Sequence, residues 1–420
     1  MHQNSNCCAG AIAAILLLAC WSTLVGPALA EDWPAFRGPR GDGISAEESL
    51  PVTWSADENI RWKIPLETAG NSSPIVSRGR VFLHAAADRG KRRSLLCWDR
   101  ADGKLLWKRT VQYEHVDQTH KTNPHAASTP VADGQRVVVW HGSAGLHCYS
   151  YSGDRLWSRD LGRIEHFLGY ASSPVVHENM ILLSVGPGED QFLTALNIES
   201  GQTIWKTEEP GGNAGQKPRE VASYSTPVVV NVNGKQQMVN NMPTRVVSYD
   251  PRDGKILWTI DGMAGRQDLV YTSRIIVGDV GISMAGFKGP RLGFTLTGRG
   301  DARDSNRLWH IRERNPQRVG TGVAVDGYVF TANVGPATIE CLDPQTGELK
   351  WQARTPGGDS WASLLSAAGH IYITTQRGAT HVIKPNDQRL EIVETNDLGE
   401  TTNASIAASD GELFIRTHQH

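Results

Sequence analysis

The sequence predicts an all-β protein, an eight-bladed β-propeller whose ring closes by pairing of its N- and C-terminal strands. Three observations predict it. A hairpin phrase ending on tryptophan recurs at intervals of 42–53 residues. A second phrase of two short apolar strands lies between consecutive tryptophans. The two ends of the chain carry complementary halves of one blade.

The hairpin phrase reads "LLCWDRADGKLLW" from residue 95. It returns as "LHCYSYSGDRLW", "LTALNIESGQTIW", "VVSYDPRDGKILW" and "IECLDPQTGELKW". Each copy alternates apolar and polar residues, crosses a short turn rich in Asp, Gly and Asn, and ends on tryptophan. That is the period-two pattern of two strands joined by a tight turn. Such turns force φ above zero, which costs little without a Cβ.

Trp62, Trp107, Trp157, Trp205, Trp258, Trp309 and Trp351 mark the register, and the next equivalent position falls at Ile392. The spacing is near the length of a four-stranded propeller blade. An indole at the same place in each blade, packed on the next blade's turn, buries about 200 Å². These seven therefore read as a structural girdle. Cys97, Cys148 and Cys341 stand nine or ten residues before a tryptophan. Three cysteines make no disulfide framework, so they read as small buried side chains.

The second phrase begins "NSSPIVSRGRVFLHA" and recurs through "AASTPVADGQRVVVWHG", "YASSPVVHENMILLSVG" and "SYSTPVVVNVNGKQQMVNN". It continues as "VYTSRIIVGDVGISMAG", "VGTGVAVDGYVFTANVG", "SWASLLSAAGHIYITTQ" and "NASIAASDGELFIRTHQ". Each of these eight copies gives a small or hydroxyl residue, a strand, a turn and a second strand. The Ser and Thr residues before Pro74, Pro130, Pro174 and Pro227 are strand starts. A residue that recurs at one point of every blade serves the blade.

The chain opens with a lone tryptophan strand, "NIRWKIPL" at 59–66, and closes with a lone first-and-second-strand pair at 403–420. Each end supplies what the other lacks, and closure would remove two open sheet edges. A "LYCI"-like strand is expected after "FIRTHQH". Either the sequence stops short of it or the last blade has three strands.

The bulk numbers exclude some classes. The 420 residues carry a net charge of −2 and no Lys/Arg run, which argues against nucleic acid. Residues 11–25, "AIAAILLLACWSTLV", are too short an apolar run to span a bilayer and precede a small-residue "ALA" at 28–30. The expected organisation is a signal peptide at 1–30, a linker at 31–58 and the propeller at 59–420. Lipoprotein processing at Cys20 is the rival reading. No later stretch is apolar enough to cross a membrane. The expected location is exported, periplasmic or extracellular.

These phrases resemble the pyrroloquinoline-quinone-type (PQQ-type) β-propeller repeat with its tryptophan-docking motif, from about residue 59 to the C-terminus. The opening "EDWPAFRGPRGDGIS" at 31–45 is similar to the opening of an exported bacterial subfamily of PQQ-binding-like repeat proteins. That superfamily holds both quinoprotein alcohol dehydrogenases and BamB, the scaffold lipoprotein of the outer-membrane barrel-assembly machinery. The fold cannot choose between them.

A dehydrogenase of this type implies adjacent cysteines over the quinone, a catalytic Asp, and Glu and Asn as calcium ligands. The adjacent pair here, Cys7–Cys8, lies in the leader. No "CxxCH" occurs, and the other residues map to no position. The resemblance thus implies a non-catalytic, BamB-like scaffold for a protein or envelope polymer, with no catalytic, cofactor-binding or metal residues assigned. The alternative is a PQQ-dependent alcohol or sugar dehydrogenase-like protein using calcium, active or degenerate.

No "HExxH", Walker loop or "GxSxG" appears. His115, His120 and His125 are five apart in the loop 112–125. Three imidazoles could hold zinc, but no second-shell pattern accompanies them and the loop reads as solvated. His120, His125, Tyr170, Tyr224, Tyr271, Arg318 and Trp361 precede innermost strands and form the candidate binding face at the channel mouth. The same side chains could instead fill the channel. Two Arg-Gly-Asp triplets, at 40–42 and 299–301, lie where linker and turn composition select Gly and Asp anyway.

Overall fold

A computed structural model describes residues 1, 31–187, 191–209, 221–265, 267–297, 300–301, 306–313 and 315–420. Apart from Met1, the leader read at 1–30 lies outside the described residues. So do its Cys20 alternative and Arg299 of the second Arg-Gly-Asp triplet.

The described residues contain β-strands and two short 3-10 turns but no α-helix. The strands form consecutive antiparallel meanders of four. The first sheet runs Ile75–Ser77, Arg80–Ala87, Arg92–Asp99 and Leu105–Gln112. The second, third and fourth start at Val131, Val175 and Val228, and the fifth to seventh at Ile275, Val323 and Leu365. A C-terminal hairpin, Ala407–Ser409 with Glu412–Phe414, follows. In the first sheet the first strand is wholly buried, while the last keeps Trp107 buried and exposes its neighbours. Each sheet thus runs from inside to outside in chain order. The innermost strands of neighbouring sheets lie against each other, Ile75–Ser77 touching both Val131–Ala132 and Ala407–Ser409.

The tryptophans sit on the outer strands opposite small residues. Cys97, Cys148, Ala195, Ser248, Gly293 and Cys341 pair directly with Trp107, Trp157, Trp205, Trp258, Trp309 and Trp351. A one-residue register shift follows every pair, a β-bulge that turns the strand locally. In the seventh sheet that position holds Glu394, opposite Val382, not Ile392, which pairs with Ile383 beyond the bulge. Counting from the previous tryptophan could not see the longer turn there, 384–391.

Six indoles donate Nε1–H to a backbone carbonyl in the following sheet's turn. Trp62 reaches Arg100, Trp107 Tyr151, Trp157 Ile198, Trp205 Pro251, Trp309 Pro344 and Trp351 Asn386, at 2.7–2.9 Å. The turn glycines are required twice over. Gly103, Gly153, Gly201, Gly254 and Gly347 have φ of 66–87°. A Cβ on any of them would lie within 2.5–2.9 Å of the docked indole. Trp258 departs from the pattern. Gly300–Asp301 pairs alongside it as a fifth, parallel strand, the ring is fully buried, and its N–H goes to Gln237 Oε1 at 2.8 Å.

At the inner edge, the strand-start hydroxyls link the sheets. The backbone N–H of Ser73 donates to Thr129 Oγ1, and the same bond repeats through Ser173, Thr226, Ser273, Thr321, Ser363 and Ser405. The N–H of Ser405 then returns to Ser73 Oγ. All eight bonds measure 2.9–3.1 Å. Each satisfies a buried amide at a point where an inner-edge strand has no neighbour in its own sheet.

The segment after residue 31 packs rather than dangles. Trp33 is buried and exchanges two backbone bonds with Val76; Ser45 and Gly43 bond Ser366. The buried Arg37 guanidinium donates to the carbonyls of Thr321 at 3.0 Å and Gly322 at 2.7 Å. Burial lowers its pKa to about 10, still charged at neutral pH. This stretch touches the inner ends of the first, sixth and seventh sheets.

Candidate functional site

A cavity of about 500 Å³ lies inside the hydroxyl belt. Seven of the eight belt residues line it, all but Thr129. So does a second tier two residues earlier in each repeat: Asn71, Ala127, Ala171, Tyr224, Tyr271, Val319, Trp361 and Asn403. The step of two follows from extended backbone, in which alternate side chains point the same way. Phe36, from the segment after residue 31, also lines the cavity, with Phe167, Phe287, Gln267 and Gln317 from loops.

The loop 112–125 is drawn to this cavity by amides. Asn71 Nδ2 donates to the Thr122 carbonyl at 2.9 Å, and Asn123 Nδ2 to the Leu168 carbonyl at 2.7 Å. His120 and Thr122 therefore line the cavity, with His120 Nδ1 2.7 Å from Thr122 Oγ1.

Of the seven residues predicted for the binding face, four meet here: His120, Tyr224, Tyr271 and Trp361. Three do not. Tyr170 and Arg318 stand three residues before the belt rather than two, so their side chains turn away. Tyr170 is buried, with its ring 5.0 Å from Trp140 and its hydroxyl donating to the His125 carbonyl at 2.9 Å. Arg318 is buried in an ion pair with Glu340 at 3.0 Å, and burial lowers its pKa. His125, four before the belt, is half-buried, and a Cβ on Gly90 would lie 2.5 Å from its ring. The three loop histidines are not gathered. Among the described residues no group of three or more His, Cys, Asp or Glu is placed to hold a metal.

Asn71, Asn403, Ala127, Ala171 and Val319 escaped the sequence reading because aromatic character was sought instead of parity. Counting back two from each strand-start hydroxyl finds all eight. The predicted aromatics do not fill the channel, since the cavity stands between them.

The described lining contains no Asp, Glu, Lys or Arg. Tyr224 and Tyr271 lie 5.7 Å apart, and burial raises both hydroxyls, Tyr271 to about 12. Tyr224 Oη is 2.7 Å from His166 Nδ1. The walls are thus aromatic and rich in amides and hydroxyls, with His120 the one imidazole in the described lining. They can stack and hydrogen-bond, but supply no carboxylate base.

This donor set does not fit the quinone cofactor that the repeat resemblance brings in. Calcium takes six to eight oxygen ligands, usually with carboxylates among them. The quinone itself is a tricarboxylic acid that calls for cationic partners. The described lining offers neither. Cys97, Cys148 and Cys341 are free and buried one per sheet, with thiols pushed up to about 11–12 by burial.

Among solved structures, the chain is similar to BamB from Moraxella catarrhalis. They share 14% identity over 86% of this chain and 94% of that one, with a TM-score of 0.58. It is also similar to quinohemoprotein alcohol dehydrogenase from Comamonas testosteroni, at 13% identity over 90% and 74% of the two chains and a TM-score of 0.66. A third is the C-terminal WD40 domain of Sif2, 10% identical over 82% and 92%, with a TM-score of 0.51. At such identity these likenesses show the fold, a β-propeller, and not the activity. No curated protein matches the sequence. No described helix is long and apolar enough to cross a membrane. The PQQ_2 family model, described as outer membrane protein assembly factor BamB, matches residues 91–280 and 296–417, and the chain belongs to that family.

Proposed function

We propose that this chain is an exported, non-catalytic, eight-bladed propeller that serves the cell envelope as a binding scaffold, with the central cavity as its recognition site. The observation that carries the reading is the cavity's wall: aromatic and amide-rich, with no Asp, Glu, Lys or Arg in its described lining and no carboxylate to hold calcium. Supporting the blade number is the belt of eight hydroxyls, whose last bond joins Ser405 to Ser73. Supporting closure are the Leu66 N–H to Gln419 carbonyl bond at 2.7 Å and the Lys63–Glu400 ion pair at 2.6 Å. Six of the seven tryptophans then act as docking residues between neighbouring blades. The partner is a protein or an envelope polymer. The family's description as an outer membrane protein assembly factor favours protein.

The test is retention from envelope extract on the immobilised chain, compared with Tyr271→Ala plus Trp361→Ala. A partner held by the native chain and lost at least tenfold by the double variant supports the reading. Equal retention removes the cavity from the proposal. Saturable uptake of pyrroloquinoline quinone with calcium, followed by dye reduction on adding an alcohol or sugar, would overturn the non-catalytic assignment in favour of the dehydrogenase alternative.

A further inference from the structure

The tier two residues before the belt has two unlike walls. One is aromatic. Tyr224 and Tyr271 lie 5.7 Å apart, tilted by 37°, and pack with Leu168, Leu269 and Phe287. Phe287 has a φ of 33°, which a bulky side chain adopts only where its surroundings impose it. The other wall is amide. Counted round the proposed ring of eight, Asn403 and Asn71 stand four places from Tyr224 and Tyr271, directly across. Gln376 Nε2 donates to Asn403 Oδ1 at 2.9 Å, and Asn403 Nδ2 lies 3.4 Å from Asn71 Oδ1. Asn71 thus uses one of its two N–H donors, on the Thr122 carbonyl, and one of its two acceptor positions. One donor and one acceptor remain. Ala127 and Ala171 separate the walls on one side, Val319 and Trp361 on the other. From the loops before the fifth and sixth sheets, Gln267 and Gln317 line the cavity with side-chain amides that have no partner among the described residues.

The cavity is closed at one end. The segment after residue 31 bonds the inner ends of the first, second, sixth and seventh sheets, through Trp33, Pro34, Arg37 and Gly43. Phe36, within that segment, lines both this cavity and a second of about 470 Å³ beyond the belt. Loops carrying Phe167 and His120, both exposed, form the other end. Charge is disfavoured inside. An ion drawn in would leave water without meeting an Asp, Glu, Lys or Arg in the described lining. A wholly apolar ligand would leave the unpaired amides covered and unbonded. Both walls are satisfied by an uncharged ring with an apolar face and a hydroxyl-bearing edge. A pyranose has both: its C–H face stacks on the tyrosines, and its hydroxyls, each donor and acceptor, match the amides.

We infer that the central cavity binds the free end of an uncharged glycan, whose sugar units stack on Tyr224 and Tyr271 and hydrogen-bond Asn71, Gln267 and Gln317. The inference rests on the recognition reading above and deepens it, committing the cavity to an envelope polymer over a protein. A free end is required because a chain cannot pass Phe36. Glycoside hydrolysis takes a pair of carboxyl groups. The described lining holds none, so the sugar is bound and not cleaved.

The experiment titrates the full chain with maltohexaose, cellohexaose and chitohexaose by calorimetry. These stand for α-linked, β-linked and N-acetylated uncharged chains. At least one should bind saturably, and at least tenfold more weakly to Tyr271→Ala plus Trp361→Ala, whose urea midpoint shows that it is folded. The trisaccharide of the same series should bind within threefold of the hexasaccharide, since only an end enters. Hexagalacturonate, charged on every unit, should bind at least tenfold more weakly. No binding of any uncharged chain, equal binding of the charged one, unchanged binding to the double variant, or a tenfold gain from three units to six would overturn the inference. Retention from envelope extract separates the two readings. If the double variant loses its partner while the native chain binds no sugar, the glycan inference fails and the recognition reading stands; removal of that partner by protease would then assign the cavity to protein. If the double variant keeps the partner, the cavity reading fails as well.

Discussion

Two tiers of the same inner strands, two residues apart, behave in opposite ways. The belt is uniform: every repeat places Ser or Thr there, and each hydroxyl accepts the amide of a neighbouring sheet. The tier above it holds amides, alanines, a valine, two tyrosines and a tryptophan. Both tiers face one cavity. What repeats there answers to the ring's own geometry, which is the same at each sheet. What varies answers to something without that symmetry. In a repeat protein, variation at a position facing a cavity is therefore a better pointer to recognition than recurrence.

The largest expected effect breaks a recurring position outside the belt. Trp157 is buried over Gly201, with its N–H on the Ile198 carbonyl. Trp157→Ala should lower the free energy of unfolding by about 3–5 kcal/mol. Urea denaturation checks it. A loss below about 1 kcal/mol would mean the indole contributes little to the join between sheets.

The second prediction concerns variation that does not face the cavity, and so limits the rule. His84 is fully buried in the first sheet, its Nδ1 3.1 Å from the Ser128 carbonyl and its Nε2 2.9 Å from His141 Nδ1. Burial drives its pKa down to about 3, and that of His141 downward as well. The folded state holds both neutral, while the unfolded chain takes up protons below about pH 6.5. Stability is therefore full above that pH and falls as pH drops toward 3. Between pH 7 and 5, His84 alone accounts for about 2 kcal/mol of loss. The urea midpoint of His84→Gln should depend less on pH over that range; an unchanged slope would remove His84 as the cause.

Much of this was legible in the sequence because it repeats. The tryptophan, the turn glycine and the small residue opposite the indole are all visible as spacing, and their contacts follow from strand alternation and φ. The errors came where the repeat slips or stops. Tyr170 and Arg318 are one residue out of phase, and a one-residue step reverses a side chain on extended backbone. Glu394 replaces Ile392 because the last turn is longer. Trp258 loses its carbonyl partner because an extra strand lies against it. The stretch after residue 31 reads as a linker by composition. It packs because Trp33 bonds Val76 of the first sheet, Arg37 reaches carbonyls 284 and 285 residues away and Phe36 lines the central cavity, contacts that no local pattern encodes.

Within the belt, Thr226→Val keeps the shape but removes the acceptor for the Ser173 amide, at present 3.0 Å from Thr226 Oγ1. Leaving that buried N–H unpaired should cost about 1–2 kcal/mol. The same substitution logic in the tier above should cost less, and this is the sharpest form of the comparison.

Trp361 and Trp157 are the same side chain at two kinds of position. Trp157 is enclosed by the neighbouring sheet's turn, so truncation there leaves a void that the surroundings cannot close. Trp361 already borders the cavity, and its indole N–H has no hydrogen-bond partner. Truncating it enlarges an existing space and breaks no bond, so Trp361→Ala should change stability by about 1 kcal/mol or less. Retention of the envelope partner should fall all the same. A Trp361→Ala loss as large as that of Trp157→Ala would mean that the upper tier, too, serves the ring, and the distinction between repeating and varying positions would fail where it matters most.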